Sequence, residues 1–196
     1  MIREKKKTTN VLVVGTGGQG VITASEILSD VAMLSGFDTK KSEIHGMSQR
    51  GGVVTSHVRY SEKVASPIII EGEADIVLSF ELAETVRWLH FLKPDGRVIT
   101  SLQRIIPPAV YAGMGSYPEN PEETIKKRIK SPIFLNALAL AEDLGNPKLV
   151  NTLLLGVVSN LLDLSIELWK TVIADRVPPK LKDLNLVAFD KGREFK

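Results

Sequence analysis

The stretch VLVVGTGGQGVITASEIL, residues 11–28, decides how the chain begins to fold. Its first four residues are apolar and mostly β-branched, which is typical of a strand buried on both faces of a parallel sheet. The glycine loop that follows, GTGGQG at residues 15–20, lets the backbone turn tightly, and the apolar residues beyond it recur at helical spacing. Gly36 is placed to end this helix, and residues 37–43 are predicted to be a second strand. The chain therefore opens with a β-α-β unit.

The glycine loop matches the spacing G-x-G-x-x-G through Gly15, Gly17 and Gly20. Such a loop lets backbone N–H groups approach an anion, and the N-terminus of the following helix adds partial positive charge. A dinucleotide site also needs an acid about 20 residues further on, and neither Asp38 nor Glu43 stands cleanly at that place. Three interpretations stay open: a dinucleotide site, a site for another anion or polar group, and a turn that only packs helix on sheet.

A second glycine-bounded segment, residues 43–52, carries an acid, an imidazole, an amide and a guanidinium. If the first two strands are parallel neighbours, this segment leaves the sheet beside the glycine loop, at the edge where open α/β sheets bind ligands. Arg50 offers a bidentate fork for a carboxylate or phosphate, and His45 titrates near neutral pH. The alternative is that Glu43 and Arg50 pair to stiffen the segment while His45 bonds a backbone carbonyl.

The rest of the chain is predicted to form further strands and helices. The patterns predict a half-exposed strand over 53–60 with a hairpin partner over 63–70, a buried strand over 74–80, a helix over 81–92, a turn at 94–96 and a strand over 97–100. Residues 102–120 are rich in Pro, Gly and Tyr and are predicted to be a loop that is functional or contacts a partner. Helices are predicted from residue 121, over 135–144, along the apolar stripe of 150–162, over 166–175 and over 181–195.

These elements predict the fold class α/β: a three-layer open, mostly parallel, Rossmann-like sheet with helices on both faces and a helical C-terminal segment. We expect a single domain over residues 10–196, preceded by a flexible N-terminus at 1–9. The apolar stripe of 150–162 is predicted to be a core helix, with a subunit contact as the alternative.

Composition and charge exclude several classes of protein. The chain has 196 residues and a formal charge of +2, which gives no support for a nucleic-acid surface. It has no cysteine, so disulfides, thiolate nucleophiles and an iron–sulfur cluster held by this chain alone are excluded. No signal peptide and no apolar run of about 20 residues is visible, so a cytoplasmic protein without a membrane partner is expected. No Walker lysine, nucleophile elbow or metal-type cluster stands out, and no metal site is predicted.

Four stretches together resemble the gamma-type domain of 2-oxoacid:ferredoxin oxidoreductases. They are VVGTGGQGVITASEIL at 13–28, SEIHGMSQRGGVVTSHVR at 42–59, SPIIIEGEADIVLSFE at 66–81 and LKPDGRVI at 92–99. The pairing of GxGGQG with HGMxQRGG is far more specific than either glycine loop alone. The resemblance covers almost the whole chain, and a separate chain of this length is most similar to the beta subunit of indolepyruvate ferredoxin oxidoreductase.

The resemblance implies the oxidative decarboxylation of a 2-oxoacid, at family level an aryl pyruvate, to an acyl-CoA and carbon dioxide, with electrons passing to ferredoxin. In this family thiamine diphosphate, Mg²⁺ and 4Fe–4S clusters supply the chemistry, and coenzyme A is a co-substrate. This chain has neither a Gly-Asp-Gly thiamine signature nor a cysteine. The resemblance therefore implies that a larger alpha subunit holds these groups and that this chain is inactive alone. A homodimer of the isolated chain stays open.

The resemblance also implies that the two glycine-bounded segments form one face toward the partner's thiamine site. We expect this face to contact the oxoacid, coenzyme A or only the partner. Its residues are Gly15, Gly17, Gly18, Gln19, Gly20, Glu43, His45, Gly46, Met47, Gln49, Arg50, Gly51 and Gly52. His45 and Arg50 are the candidate catalytic residues among them. Two alternatives remain, a stand-alone Rossmann-like nucleotide- or flavin-binding protein and a purely structural assembly subunit.

Overall fold

The structure, a computed structural model, describes residues 8–46 and 52–195, apart from the side chain of His45. Within these residues six strands form one sheet in the order β2-β3-β1-β4-β5-β6. The strands are β1 (Thr9–Thr16), β2 (Asp38–His45), β3 (Val53–Ser61), β4 (Ala74–Ser79), β5 (Leu92–Ser101) and β6 (Ile133–Leu135). The described helices are α1 (Val21–Leu34), α2 (Leu82–Trp88), α3 (Pro108–Tyr111), α4 (Pro121–Arg128), α5 (Ala137–Asp143), α6 (Val150–Ser159), α7 (Ile166–Arg176) and α8 (Lys182–Arg193).

The sheet is mixed. β1, β4, β5 and β6 are parallel neighbours, while β3 is antiparallel to both β1 and β2. The expectation that the first two strands are parallel neighbours is wrong, because β3 lies between them. Two antiparallel pairings still leave β2 running in the same direction as β1. The end of β2 and the start of β3 therefore lie at the carboxyl edge of β1, where the glycine loop begins.

Helices cover both faces of the sheet, as the predicted fold class requires. Val11 and Val13 pack in one apolar cluster with residues of α1, α6, α7 and α8. Leu12 and Val14 pack in a second cluster with residues of α2 and α4. The alternation of β1 side chains between two cores explains why its sequence is apolar throughout, since a strand covered on one face only would alternate with polar residues.

The apolar stripe of 150–162 lies mainly in the core. Nearly every residue of α6 is buried, and its neighbour α8 crosses it at close range. The approach is close because glycines face the opposing backbone, Gly156 against Phe189 and Gly192 against Leu153. Trp169 of α7 stacks on Phe189 with ring centroids 5.9 Å apart. The stripe is therefore used for packing inside this chain, as the core interpretation predicts.

The strand predicted over 63–70 is absent from the structure, where residues 62–73 are irregular. β3 is already paired with β1 on one side and with β2 on the other, so no edge is left for a hairpin partner. The irregular segment instead packs over β3, where Ile69 N–H donates to His57 Nδ1 at 3.2 Å. The prediction of a half-exposed strand is also wrong, since β3 is almost entirely buried. Burial, followed by the charge of Arg59, lowers the pKa of His57 and favours its neutral, hydrogen-bond-accepting form.

Several boundaries differ from the prediction. The predicted turn at 94–96 lies inside β5, where the pairing with β4 shifts register between Ala74 and Ile76. The short strand β6 was not predicted, and the helix expected over 135–144 begins only at Ala137. Thr9 already belongs to β1, while residues 1–7 of the expected flexible N-terminus lie outside the described residues. No helix in the described part of the chain is long and apolar enough to cross a membrane.

Candidate functional site

The glycine loop turns at the carboxyl edge of β1 and needs glycine for two different reasons. Gly18 and Gly20 have φ values of 96° and 88°, a conformation that L side chains rarely adopt. Gly15 is instead limited by space, since a Cβ there would lie 2.8 Å from Val21 Cγ2 and 2.9 Å from Phe80 Cβ. The loop therefore brings backbone, and not side chains, to the start of α1.

The two glycine-bounded segments meet at this edge. Gly17 N–H donates to the Gly52 carbonyl at 2.9 Å, and Gly46 N–H donates to the Val53 carbonyl at 2.8 Å. The two segments therefore lie side by side, as expected, and they contact each other through their glycines, although β1 and β2 are not adjacent. Glu43, at the end of β2, accepts from Lys41 Nζ at 2.6 Å. The remaining predicted residues of the second segment, Met47, Gln49, Arg50 and Gly51, and the side chain of His45, lie outside the described residues.

Gln19 closes the glycine loop on itself and ties it to two other parts of the sheet edge. Its Oε1 accepts from the backbone N–H of Thr16 at 2.8 Å and from the hydroxyl of Thr16 at 3.1 Å. Its Nε2 donates to the Phe80 carbonyl at 2.9 Å and to Gln103 Oε1 at 2.8 Å. Both donors and the acceptor are therefore used within the chain. The amide of Gln19 therefore fixes the shape of the loop.

A cleft of about 550 Å³, the glycine cleft, opens on the outer side of this loop. Its walls are Gly17, Gly18, Gln19, Gly20, Thr23, Gln103, Ile105, Leu138, Pro147, Lys148, Val150 and Asn151. α1 begins there with Gly20 as its N-cap, without a capping side chain and without an acid in its first turn. Its first N–H groups thus keep their positive partial charge unopposed.

Two side chains from the far end of the chain complete the glycine cleft. Lys148 is exposed at its rim and has no ion-pair partner among residues 8–46 and 52–195. Asn151 packs against Gly20, and its Oδ1 accepts from the N–H of Thr152 at 2.9 Å. A free ammonium, a side-chain amide and an uncapped helix N-terminus around one cleft have the chemistry of a site for a phosphate or carboxylate.

A smaller cleft of about 300 Å³, the carboxylate cleft, lies on the other side of the glycine loop. Thr16, Gly46 and Gly52 form one wall, and residues that follow β4 form another. Glu81 is only 1% exposed, and its Oε2 accepts from the N–H of Glu84 at 2.8 Å, which caps α2. Its Oε1 accepts from the Ile105 N–H at 3.1 Å and from the Tyr117 hydroxyl.

Two further groups of the carboxylate cleft, Glu84 and Tyr117, have raised pKa values. Burial is the main cause that raises the pKa of Glu84, and the nearby Glu81 adds to it, while Arg87 and Trp88 act in the opposite direction. Burial and the hydrogen bond to Glu81 raise the pKa of Tyr117, so its hydroxyl stays protonated and donates. This wall is therefore a hydrogen-bonded support for the segment that follows β5.

The dinucleotide interpretation does not fit this geometry. Asp38 lies at the start of β2, at the opposite edge of the sheet from the glycine loop, and accepts from the N–H of Val64 at 2.8 Å. β2 is also not the neighbour of β1, whereas the dinucleotide fold places the acid-bearing strand beside the first strand. Glu43, the other candidate, is paired with Lys41. Among the residues that the structure describes, neither candidate acid is therefore in place to hold a ribose.

The resemblance implies metal-containing groups for the enzyme as a whole, and these groups would need ligands from any chain that holds them. Iron–sulfur clusters need thiolate ligands, and the chain has no cysteine. Within the described residues no group of three or more His, Asp or Glu side chains is arranged to hold a metal ion. The described edge instead presents the N–H groups at the start of α1 and the ammonium of Lys148.

Most residues that line the two clefts were not predicted from the sequence, and the polar ones among them include Glu81, Tyr117, Lys148 and Asn151. A signal exists for Glu81, since it directly follows the buried run of β4, just as the glycine loop follows β1. Lys148 and Asn151 carry no such signal, because they approach Gly20 only through the packing of α6 in the core. Tyr117 falls within a loop whose path no local pattern fixes.

The fold and the groups around the glycine loop define a class of protein. It is an α/β domain that presents backbone amides and cationic groups at the carboxyl edge of its sheet. Residues 10–195 match the family described as pyruvate ferredoxin/flavodoxin oxidoreductase, and the chain belongs to this family. It is 37% identical over 193 residues to the indolepyruvate oxidoreductase subunit IorB of Pyrococcus horikoshii, with 95% of each chain covered. The predicted class, a subunit of a 2-oxoacid ferredoxin oxidoreductase, is thereby confirmed.

Solved structures agree with the fold. The gamma subunit of a keto/oxoacid ferredoxin oxidoreductase from Geobacter sulfurreducens has a TM-score of 0.71 at 25% identity, covering 95% of this chain and 96% of that one. A 2-oxoglutarate:ferredoxin oxidoreductase from Magnetococcus marinus, solved with 2-oxoglutarate, coenzyme A and succinyl-CoA bound, has a TM-score of 0.73 at 20% identity. The match covers 97% of this chain but 31% of that one, so the same fold also occurs as one part of a longer chain.

Proposed function

We propose that this chain is the small subunit of an oxidoreductase that converts an aryl pyruvate such as indolepyruvate to its acyl-CoA and carbon dioxide. In that reaction the bond to the carboxylate breaks, a thioester to coenzyme A forms, and the electron pair passes to ferredoxin. The substrate assignment rests on the 37% identity to an indolepyruvate oxidoreductase subunit over nearly the whole chain. The observation that carries the role of this chain is the glycine cleft, with its uncapped helix and a Lys148 that forms no ion pair within the described residues.

The partner in this proposal is a larger subunit that holds thiamine diphosphate, Mg²⁺ and 4Fe–4S clusters. The absence of cysteine supports this division, since electron transfer through such clusters needs thiolates that this chain does not have. When bound in the partner, thiamine diphosphate supplies the carbanion chemistry. Ferredoxin then takes electrons from the assembled enzyme.

The contribution of this chain is to bind and orient. The first N–H groups of α1 and the ammonium of Lys148 hold a phosphate of coenzyme A or the carboxylate of the oxoacid. Gln19 keeps the loop in the required shape through its four hydrogen bonds. His45 and Arg50, on the adjoining segment, are proposed to contact the same substrates, with Arg50 as the bidentate partner of an anion.

Replacing Lys148 and Arg50 by alanine, singly, in the assembled enzyme tests this role. We expect each change to lower kcat/KM for coenzyme A or the oxoacid about tenfold or more, because each removes a charge-assisted contact of about 1.5–3 kcal/mol. Assembly should stay as in the wild type. Steady-state ferredoxin reduction with each substrate varied in turn measures the effect and identifies the substrate concerned.

The matched control is Lys180→Ala, which removes an exposed lysine far along the chain that lines neither cleft. It should leave kcat/KM unchanged. If the Lys148 and Arg50 variants both assemble and turn over at the wild-type rate, the edge does not touch substrate. The chain would then be a structural subunit.

A further inference from the structure

Part of the chain that follows β5, from residue 105 to residue 118, exposes apolar side chains and carries no charge. Residues 105–118 contain no Asp, Glu, Lys, Arg or His, in a chain of which 24% of the residues are charged. Tyr111 is 78% exposed, Met114 75% and Ile106 41%. Clustered exposed apolar side chains without charged neighbours are characteristic of the centre of a protein–protein interface. We call residues 105–118 the apolar segment.

The helix within the apolar segment has no core of its own. α3 contains no buried residue, although a surface helix normally buries one apolar face against its own domain. Its short turn is closed by a bond from Ala112 N–H to the Pro108 carbonyl at 3.0 Å. The side chains that would usually stabilise such a helix by packing are directed to solvent in this chain.

The apolar segment is nevertheless held firmly at both ends. Leu82 N–H donates to the Gln103 carbonyl at 3.1 Å just before it begins. At its two ends Ile105 N–H and the Tyr117 hydroxyl both donate to the buried carboxylate of Glu81. A surface that is already ordered loses less conformational entropy when a partner covers it. The anchoring therefore favours docking over a merely loose loop.

The position of the segment indicates what covers it. Ile105 lies in the walls of both the glycine cleft and the carboxylate cleft. A body that packs on the apolar segment therefore adjoins the substrate-binding edge. A second copy of this chain would cover that edge without supplying a redox group, since it too lacks cysteine.

We propose that the apolar segment is the docking surface for the larger, thiamine-bearing subunit, with Tyr111 and Met114 as its central contacts. This inference rests on the proposed function, because that function requires the partner's redox centre to reach the edge beside Ile105. Glu81 is then a positioning residue, since it holds the segment in the shape that the partner meets.

The test is the affinity of the purified chain for its larger subunit. Tyr111→Glu and Met114→Glu place a charge in the interface, and the dissociation constant should rise about 30-fold or more, as for central interface residues. Ile70→Glu is the control, because Ile70 is 62% exposed but precedes β4 at the opposite edge of the sheet. It should leave the dissociation constant within about twofold of wild type.

Sedimentation velocity measures the complex, and its thiamine content identifies the partner. The isolated variants should melt as the wild type does, since the replaced side chains are exposed. If the wild-type chain binds the thiamine-bearing subunit and the Tyr111 and Met114 variants bind it equally well, the docking surface is wrong while the proposed function stands. If the wild-type chain does not bind that subunit at all, both proposals fall.

Discussion

Gly192→Ala should lower the free energy of unfolding by about 3 kcal/mol or more. A Cβ at this position would overlap the carbonyl oxygen of Leu153 and lie 2.9 Å from its carbonyl carbon. These atoms belong to the backbone of α6, so no side-chain rotation relieves the overlap. The helices must move apart, and the cluster around Trp169 and Phe189 then loses its packing.

Helix propensity alone predicts the opposite sign for the change in stability, so the sign of that change tests the overlap. Alanine is favoured over glycine by about 1 kcal/mol inside a helix, so without the overlap Gly192→Ala would be stabilising. Urea unfolding followed by circular dichroism decides the sign. Val187→Ala, at an exposed site of the same helix, is the control and should change stability by less than about 0.5 kcal/mol. A Gly192→Ala protein more stable than wild type would contradict the close packing of α6 and α8.

Gln19→Leu should cost about 3 kcal/mol and disorder the glycine loop. The substitution keeps much of the side-chain volume but leaves Thr16 N–H, the Phe80 carbonyl and the Gln103 amide without their partner. Partly buried polar groups that lose a partner cost about 1–3 kcal/mol each, with part of this recovered by water. We expect the assembled enzyme to lose turnover as well, because the start of α1 no longer has a fixed position.

A series of single and double variants separates the contribution of the bond to Gln103 from those of the other bonds of Gln19. Gln103→Leu removes only the side-chain bond to Gln19, so it should cost roughly 1 kcal/mol, while the double variant should cost less than the sum of the two. Urea unfolding measures stability, and amide hydrogen exchange of residues 16–21 reports on the loop. Stability of Gln19→Leu within about 0.5 kcal/mol of wild type would show that the loop keeps its shape without the amide.

The start of the fold was predictable because one property dominates each element. β1 is buried on both faces, so its sequence is uniformly apolar, and α1 follows with a clear helical period. β2 is different, because its sequence DTKKSEIH is polar and lies at the sheet edge. Nothing local tells which strand pairs with it. The position of β3 between β1 and β2 is determined by long-range packing and not by local sequence.

The sequence predicts at which edge of the sheet the candidate site lies, but it does not predict all the side chains that line it. The glycines of both segments identify the edge, because turns with positive φ and close backbone approach require that residue type. The sequence predicts Gln19 as part of the face toward substrate or partner, because its position does not show that Phe80 and Gln103 accept both hydrogens of its amide. Lys148 reaches the same edge only through the core packing of the C-terminal helices, which local sequence does not encode.

We propose that this chain supplies a substrate-binding edge to a redox centre held by another polypeptide. The decisive experiment is ferredoxin reduction with an aryl pyruvate and coenzyme A, measured for each purified subunit and for their mixture. We expect no reduction by this chain alone, little by the larger subunit alone, and full activity when the two are combined. Ferredoxin reduction by this chain alone, or an undiminished rate from the larger subunit without it, would contradict the claim.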